Sequence, residues 1–143
     1  MYDEILVPTD GSDASTAAVE QGIGLAATFG ATVHFLYVVD VGTEMSAAAV
    51  GDIADDLSAT LEKMATDALD TATTRAEDED VPYERTILEG LPHEAIVEYS
   101  TDHGIDLVVM GVTGRSGLTE RLLGSTTDRV TRSVDVSVLV ARS

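Results

Sequence analysis

The sequence contains no cysteine, a single lysine (Lys63) and few aromatic residues, which make up 4 % of its 143 residues. Without cysteine, neither a disulfide framework nor a thiolate metal site can form. No apolar run reaches the roughly 18 residues that a membrane-spanning helix needs. The first residues, "MYDEILVPTD", lack the basic start and apolar stretch of a signal peptide. We therefore expect a cytoplasmic protein that does not associate with membranes.

Basic residues are also scarce, since 8 of them stand against 26 acidic ones and the formal net charge is -18. Nucleic acid is excluded as an expected partner, because contacts to phosphates need clustered Lys and Arg. Such an acidic excess favours a halophilic source, where concentrated salt screens the self-repulsion of the chain. The alternative is an ordinary acidic cytoplasmic protein.

The negative charge is unevenly distributed along the chain. Residues 1–110 contain 23 acidic and 3 basic side chains, net -20, whereas residues 111–143 contain 3 acidic and 5 basic ones, net +2; together they give -18. An anionic ligand is repelled by the first part and not by the second. If the protein binds a polyanion, its site is expected to include the C-terminal segment.

What the chain does contain is a 44 % share of hydrophobic residues, enough for the core of one domain of about 100 to 150 residues. These residues fall into five short apolar runs that alternate with amphipathic segments. Strands are predicted over 4–9, 31–39, 83–90, 105–111 and 136–142. Helices are predicted from a cap at Ser12 to a stop at Gly30, from 53 into the acidic run 76–82, over 91–104 with Pro92 near its start, and over 125–134.

The apolar face of the long second helix is predicted from residues spaced three or four apart. They are Ile53, Leu57, Leu61, Met64, Ala68 and Ala72.

This alternation predicts a doubly wound α/β fold, Rossmann-like, with one parallel five-stranded sheet covered by helices on both faces. Ligands of such sheets bind beyond the carboxyl ends of strands, where the strand order reverses. Two loops follow strands in this way, namely "PTDGS" (8–12) and "GVTGRSG" (111–117). We expect them to face each other across the binding crevice.

The second of these loops is rich in glycine and leads into a helix. Gly111, Gly114 and Gly117 let the backbone adopt positive φ or approach a ligand closely. Ser125 is predicted to cap the following helix, with Asp128 three residues on, and the free amides of its first turn favour an anion. Together with Arg115, these groups would form a binding site for phosphate. The alternative for this segment is a purely structural turn.

Two other phosphate motifs are excluded. The dinucleotide fingerprint G-x-G-x-x-G follows a first strand, and the P-loop requires a lysine after its last glycine; this segment meets neither requirement. No nucleophile elbow of the G-x-S-x-G type is present either. The histidines His34, His93 and His103 are far apart in the sequence, and we expect no constellation among them. We assign no catalytic residue and no protein-bound metal.

The glycine segment resembles a known family. Gly111, two residues, Gly114, nine residues, Gly124 and Ser125 form the G-x2-G-x9-G-[S/T] pattern of the ATP-binding branch of the universal stress protein family. "ILVPTDGS" is similar to that family's first strand and loop, "FLYVVD" to its second strand, and "VMGVTGRSGLTERLLGSTTDRV" to its nucleotide loop and last helix. The resemblance covers the whole chain and implies one nucleotide-binding domain over residues 1–143 with sheet order 3-2-1-4-5.

The resemblance also implies a site for ATP, or for AMP or ADP, together with Mg²⁺. Phosphates and ribose would be held from the glycine segment, Val38 would meet the adenine edge through its backbone, and Asp10 would lie near the ribose or a metal-bound phosphate. A turn or capping role is the alternative for Asp10. The implied cofactor-binding residues are Pro8, Thr9, Asp10, Val38, Met110, Gly111, Thr113, Gly114, Arg115, Gly124, Ser125 and Thr126.

The function implied is that of a nucleotide-dependent regulator of a stress response, acting on an unknown protein partner. One alternative is a slow ATPase or autophosphorylating protein, with Thr113, Ser116 or Thr126 as acceptors. A second is a nucleotide-independent, chaperone-like interaction module. The family commonly pairs its last strand across a two-fold axis, so a homodimer is expected, although Ser137 stands where relatives have proline.

Overall fold

The structure, a computed structural model, describes residues 1–40, 52–113 and 123–142, with side chains in the second helix described from Leu57 onward. Within these residues, nine elements follow one another, and strands alternate with helices. They are β1 (Glu4–Pro8), α1 (Asp13–Phe29), β2 (Thr32–Val39), α2 (Asp52–Asp78), β3 (Tyr83–Glu89), α3 (Pro92–Asp102), β4 (Leu107–Gly111), α4 (Ser125–Ser133) and β5 (Ser137–Ala141). All five predicted strands and all four predicted helices are present.

The strands form one parallel sheet in the order β3-β2-β1-β4-β5, which confirms the predicted doubly wound, Rossmann-like architecture and its strand order. The order reverses beside β1, since the chain goes first to β2 on one side and later to β4 on the other. β1 and β4 are paired only at Ile5 with Leu107 and at Leu6 with Val108. Beyond these pairs the two strands separate, and a crevice opens at their carboxyl ends.

The core consists of two layers, one on each face of the sheet. On one face, α1 and α2 cover side chains such as Val7 and Phe35. On the other face, α3 and α4 cover Leu6, Leu36 and Val108. Because neighbouring strand residues point to opposite faces, Leu6 and Val7 are both fully buried in different layers. Among the described helices, none combines the length and apolar character of a membrane span.

The ends of α1 match the prediction. The Ser15 amide donates a hydrogen bond of 3.2 Å to Ser12 Oγ, and Gly30 ends the helix with a left-handed φ of 69°. Both ends of this helix could be predicted because a capping side chain and a glycine in the left-handed region are local features of the sequence.

The predicted apolar face of α2 is confirmed except at Met64. Leu61 and Ala72 are buried in the core, and Leu57 and Ala68 pack against it partly buried, whereas Met64 is 36 % exposed. The same core also contains Ala65, Leu69 and Ala76, which the prediction omits. The side chain of Ile53 lies outside the described residues.

The predicted cap of α4 is wrong by one residue. Gly124 occupies the N-cap position, with no side-chain cap hydrogen bond, and Ser125 is the first helical residue. The Gly124 carbonyl accepts from the Asp128 amide at 2.9 Å, and the Gly124 amide donates to the Val112 carbonyl at 2.8 Å. Because both the amide and the carbonyl of Gly124 are hydrogen-bonded, the helix begins after Gly124. Ser125 and Asp128 therefore form no capping box.

Candidate functional site

A cleft of about 470 Å³ lies at the carboxyl ends of β1, β2 and β4, where β1 and β4 separate. Its volume falls in the range of small-molecule sites, roughly 300 to 1,000 Å³. The loop after β1 and the segment after β4 both line it. The expectation that these two segments face each other at the reversal of strand order is therefore confirmed for residues 111–113 of the second segment, and residues 114–117 lie outside the described residues.

The structure brings together most of the residues that the sequence singled out. Ten of them line this one cleft, namely Pro8, Thr9, Asp10, Val38, Met110, Gly111, Thr113, Gly124, Ser125 and Thr126. Gly114 and Arg115, together with Gly117 and Ser116, lie outside the described residues. Segments separated by more than seventy residues of sequence thus share one surface.

Six further residues line the cleft that sequence reasoning missed: Ser15, Leu36, Asp40, Pro92, Ile96 and Thr127. Asp40 directly follows β2, and the rule on strand ends could have identified it. Pro92 and Ile96 belong to α3, and no local signal indicates that this helix covers the crevice. Their position follows from the handedness of the crossover between β3 and β4, which places α3 on the same face as α4.

One end of the cleft is apolar. Leu36, Ile96 and Met110 are buried there with exposures of 0 %, 2 % and 5 %, and Pro8 and Val38 complete the lining. Such a surface accepts a flat, weakly hydrated group by removing apolar area from water. It fits one face of an aromatic ring and offers no charge to an ionic group.

The backbone of Val38 points toward the cleft side of β2. The Leu36 carbonyl accepts from the Thr9 amide at 2.9 Å on the side of β1, and the Val39 carbonyl accepts from the Gly90 amide at 3.0 Å on the side of β3. Because successive residues of a strand alternate in direction, the peptide groups of Val38 face the side of β1, past Pro8, where β1 ends. One donor and one acceptor are thus placed at the apolar end.

The other end of the cleft is formed by the first turn of α4. Ser125, Thr126 and Thr127 line it. The first hydrogen bond within the helix runs from the Asp128 amide to the Gly124 carbonyl. The three preceding amides have no partner carbonyl within the helix, and the helix dipole adds positive potential there. The arrangement suits an anion such as a phosphate group.

Thr127 fastens this helix end to the sheet. Its Oγ1 donates a buried hydrogen bond of 2.9 Å to the Gly111 carbonyl at the end of β4. Gly124 lies against the same strand exit, since a β-carbon on it would be 3.1 Å from Thr113 Cα. The polar end of the cleft therefore depends on the close approach of the start of α4 to the end of β4. A larger side chain at position 124 would push these two segments apart.

The loop after β1 is held by a hydrogen-bond network around Ser15, which is 5 % exposed. Ser15 Oγ lies 3.1 Å from Thr9 Oγ1 and donates to the Ser12 carbonyl at 3.0 Å. Asp10 Oδ1 accepts from the Ser12 amide at 3.0 Å, which is the turn chemistry considered as the alternative for this residue. The network fixes the position of Asp10 at the cleft wall.

The expectation of no histidine constellation is wrong for two of the three histidines. His34, 2 % exposed, contacts Glu4 Oε2 through Nε2 at 2.6 Å and the Tyr99 hydroxyl through Nδ1 at 2.8 Å. The rings of Tyr99 and His103 are stacked with centroids 3.7 Å apart. Burial raises the pKa of the Tyr99 hydroxyl, and the charge of Glu84 adds to the effect. The cluster joins β1, β2 and α3 near the amino ends of the strands, away from the cleft.

Comparison with known proteins gives the fold and the site a family context. A family profile described as the universal stress protein family matches residues 1–142. Universal stress protein MJ0531 of Methanocaldococcus jannaschii is 38 % identical over 142 residues, covering 99 % of this chain and 83 % of the relative.

Two solved structures extend the likeness to three dimensions. That of protein MJ0577, also from Methanocaldococcus jannaschii, has a TM-score of 0.83 at 29 % identity and covers 100 % of this chain and 97 % of its own. A universal stress protein in complex with cAMP has a TM-score of 0.71 at 28 % identity, with 98 % and 96 % covered. The profile match and the relatives agree along the full sequence, and the chain belongs to the universal stress protein family.

Proposed function

We propose that this protein binds an adenine nucleotide in the cleft at the carboxyl ends of β1, β2 and β4, and that occupancy regulates its contacts with a partner protein. The observation that carries the proposal is the convergence of ten sequence-predicted residues on that cleft. A structural relative bound to cAMP supports the class of ligand. The whole chain, residues 1–143, would act as one nucleotide-binding domain.

The apolar end of the cleft suits the base. A ring lying against Leu36 and Ile96 would meet the peptide groups of Val38 with its edge. Adenine presents a donor, its amino group, beside an acceptor, N1, so the carbonyl and amide of one residue can pair with both. Guanine presents the opposite order at these positions. We therefore expect adenine to be preferred over guanine.

The polar end suits the phosphates. The amides of Ser125, Thr126 and Thr127, with the positive end of the α4 dipole, would hold phosphate oxygens. The close approach of Gly124 to Thr113 at the exit of β4 holds these amides beside the strand end. Asp10, positioned by its bond from the Ser12 amide, would lie beside the ribose or a Mg²⁺ ion brought with the nucleotide.

Thermal unfolding in concentrated KCl tests the proposal. A ligand at 100 times its dissociation constant stabilises a fold by about 2.7 kcal/mol, which raises the melting temperature of a domain of this size by roughly 9 °C. We expect AMP, ADP or ATP to produce such a rise and GTP to produce a smaller one. No rise with any adenine nucleotide would reject the proposal.

A matched pair of variants locates the site. Gly124→Val would push the start of α4 away from Thr113, since even a β-carbon would lie 3.1 Å from its Cα. We expect this variant to lose the nucleotide-induced rise. Gly24→Val, on the exposed side of α1 with nothing within 4 Å of an added β-carbon, should retain the rise, since valine is tolerated in a helix interior at least as well as glycine.

Slow hydrolysis or autophosphorylation is the enzymatic alternative. Among the described lining residues there is no lysine to meet a γ-phosphate, and the Asp10 carboxylate is engaged with the Ser12 amide. We expect turnover of radiolabelled ATP to be weak, and its loss in Asp10→Ala would assign what turnover there is to this site. A nucleotide-independent interaction module would show neither turnover nor a thermal shift.

The proposal extends to assembly and environment. β5 (Ser137–Ala141) lies at one edge of the sheet, and we propose that it pairs with β5 of a second copy to form a homodimer in the cytoplasm. Sedimentation at several protein concentrations tests this. The net charge of -18 further supports a halophilic source, for which unfolding should shift to higher temperature between low and molar KCl.

A further inference from the structure

We infer that the Thr127 hydroxyl is a positioning group that makes the cleft favour a phosphorylated ligand. It holds the first turn of α4 beside the end of β4, and it covers a backbone carbonyl that would otherwise repel an anion. Thr127 lines the cleft and is 3 % exposed. The inference rests on the nucleotide site proposed above and concerns how that site recognises phosphate.

The partner of this hydroxyl is a carbonyl that points into the gap between β1 and β4. The Val112 amide donates to the Ala141 carbonyl in β5 at 3.1 Å. In a planar trans peptide, the amide of one residue and the carbonyl of the residue before it point in opposite directions. The Gly111 carbonyl is therefore directed away from β5 and toward the side of β1.

β1 does not pair with β4 at this level of the sheet. The last described pair of the two strands is Leu6 with Val108, and Pro8, at the end of β1, has no amide hydrogen to donate. The Asp10 amide is directed to Ser15 Oγ, 3.4 Å away. The Thr127 hydroxyl, at 2.9 Å from the Gly111 oxygen, thus takes the place of a donor from the neighbouring strand.

Covering this carbonyl matters for an anionic ligand. Gly111 and Thr127 line the same cleft, and a carbonyl oxygen carries partial negative charge. If the hydroxyl were removed, the oxygen would lose this hydrogen bond and would repel a phosphate group bound nearby. With the hydroxyl in place, the phosphate would meet the amides at the start of α4 instead.

The same hydrogen bond fixes the direction of those amides. The start of α4 is attached to the end of β4 at two points, by the Gly124 amide to the Val112 carbonyl at 2.8 Å and by the Thr127 hydroxyl to the Gly111 carbonyl. Two attachments prevent the first turn from rotating about either one. The amides of residues 125–127 therefore keep one orientation toward the cleft, which lowers the cost of ordering them around a phosphate.

The base would bind at the other end of the cleft, against Leu36 and Ile96, and this end does not depend on Thr127. Thr127→Val keeps nearly the same shape and removes the donor. We expect AMP affinity to fall about tenfold in this variant, whereas adenosine affinity should change by less than about twofold. Thr127→Ser retains a hydroxyl and should restore most of the AMP affinity.

The experiment is calorimetric titration of the full chain with adenosine and with AMP in molar KCl, with circular dichroism to confirm that each variant is folded. Thr127→Ala removes the same hydroxyl with a smaller side chain, so the test does not depend on one variant. Thr131→Val is the matched control, because it removes a hydroxyl of the same helix that donates to the Thr127 carbonyl at 2.7 Å, outside the cleft lining. It should leave both affinities unchanged.

Three results would overturn the inference and leave the nucleotide site intact. One is AMP affinity that is unchanged in Thr127→Val and Thr127→Ala. The second is an equal loss of adenosine and AMP affinity, which would assign Thr127 a general role in packing. The third is failure of Thr127→Ser to recover AMP binding. If neither adenosine nor AMP bound the original protein, the nucleotide site and this inference would be overturned together.

Discussion

Gly111, the last residue of β4, lies directly against Ala14 in the first turn of α1. A β-carbon on Gly111 would be 2.6 Å from both the carbonyl carbon and the carbonyl oxygen of Ala14, and 2.9 Å from the Ser15 amide nitrogen. These are backbone atoms of a helix and cannot move aside as a side chain would. The close approach brings the two strand exits that line the cleft within reach of each other.

We predict that Gly111→Ala destabilises the fold by about 1 to 3 kcal/mol, the usual cost of forcing atoms into a packed region. The added methyl group would displace α1 from β4 and with it the Ser12–Ser15 turn. Urea unfolding at constant KCl measures the change. The same variant should weaken AMP binding, since the loop after β1 would shift.

Gly24→Ala is the control for this prediction. Gly24 lies on the exposed side of α1, and nothing is within 4 Å of an added β-carbon. Alanine is favoured over glycine inside a helix by about 0.5 to 1 kcal/mol, so this variant should be more stable than the original protein. Equal stability losses at both positions would contradict the packing explanation for Gly111.

We predict that Ser12→Ala destabilises the protein by about 1 kcal/mol, the typical value for loss of a side-chain cap. Ser12 Oγ accepts from the Ser15 amide at 3.2 Å and lies 3.2 Å from Ser15 Oγ. Ser12→Asp retains an acceptor at the start of α1 and should recover most of the loss. Urea unfolding of the two variants measures this. If Ser12→Asp lost as much unfolding free energy as Ser12→Ala, the capping role would be contradicted.

The buried histidine yields a third prediction. His34→Leu removes both the contact of Nε2 with Glu4 at 2.6 Å and the contact of Nδ1 with the Tyr99 hydroxyl at 2.8 Å. We expect a loss of about 1 to 3 kcal/mol in unfolding free energy, because the Tyr99 hydroxyl is left buried without this partner. In the double variant with Tyr99→Phe, the combined loss should be smaller than the sum of the single losses.

Additive losses in this cycle would show that His34 and Tyr99 do not interact. His93→Leu, a half-buried position on α3 outside the cluster, provides a control for removal of a histidine. It should change the unfolding free energy by less than about 0.5 kcal/mol.

The raised pKa of Tyr99 predicts a dependence of stability on alkaline pH. Burial and the nearby charge of Glu84 favour the neutral phenol in the folded protein. In the unfolded chain the Tyr99 hydroxyl ionises at about pH 10. The unfolded state therefore binds fewer protons above that pH. The contribution of Tyr99 is fully present below about pH 10 and is lost as pH rises toward its folded-state pKa.

Urea unfolding between about pH 8 and about pH 11, the range around the ordinary tyrosine pKa, measures this loss. Tyr99→Phe should show a shallower fall in stability with pH than the original protein. Identical slopes would mean that the Tyr99 hydroxyl is not protected in the fold.

The sequence predicted the alternation of elements and the two ends of α1, because each depends on local patterns. Ser12 and Gly30 are such signals, and so are the short apolar runs between them and the next helix. The strand order came from the family resemblance and agrees with the physical expectation that the first and fourth strands meet at the crevice. Ten candidate site residues followed from these two sources.

What the sequence did not predict depends on contacts between distant elements. On α2, Met64 fits the apolar pattern but is exposed, whereas the smaller Ala65 and Ala76 are fully buried, because close packing of the helix favours small side chains there. The pairing of His34 with Tyr99 joins residues 65 positions apart, and no periodicity marks it. Gly111 was expected to serve a ligand, and its tight contact with Ala14 shows a packing requirement that only the assembled fold reveals.

The most direct test of the account is calorimetric titration of the folded protein with AMP in molar KCl, beside the Gly124→Val variant. We predict one binding site per chain for the original protein and no measurable binding for the variant. Absence of binding to the original protein, or equal binding by both proteins, would contradict the assignment of this cleft as the nucleotide site.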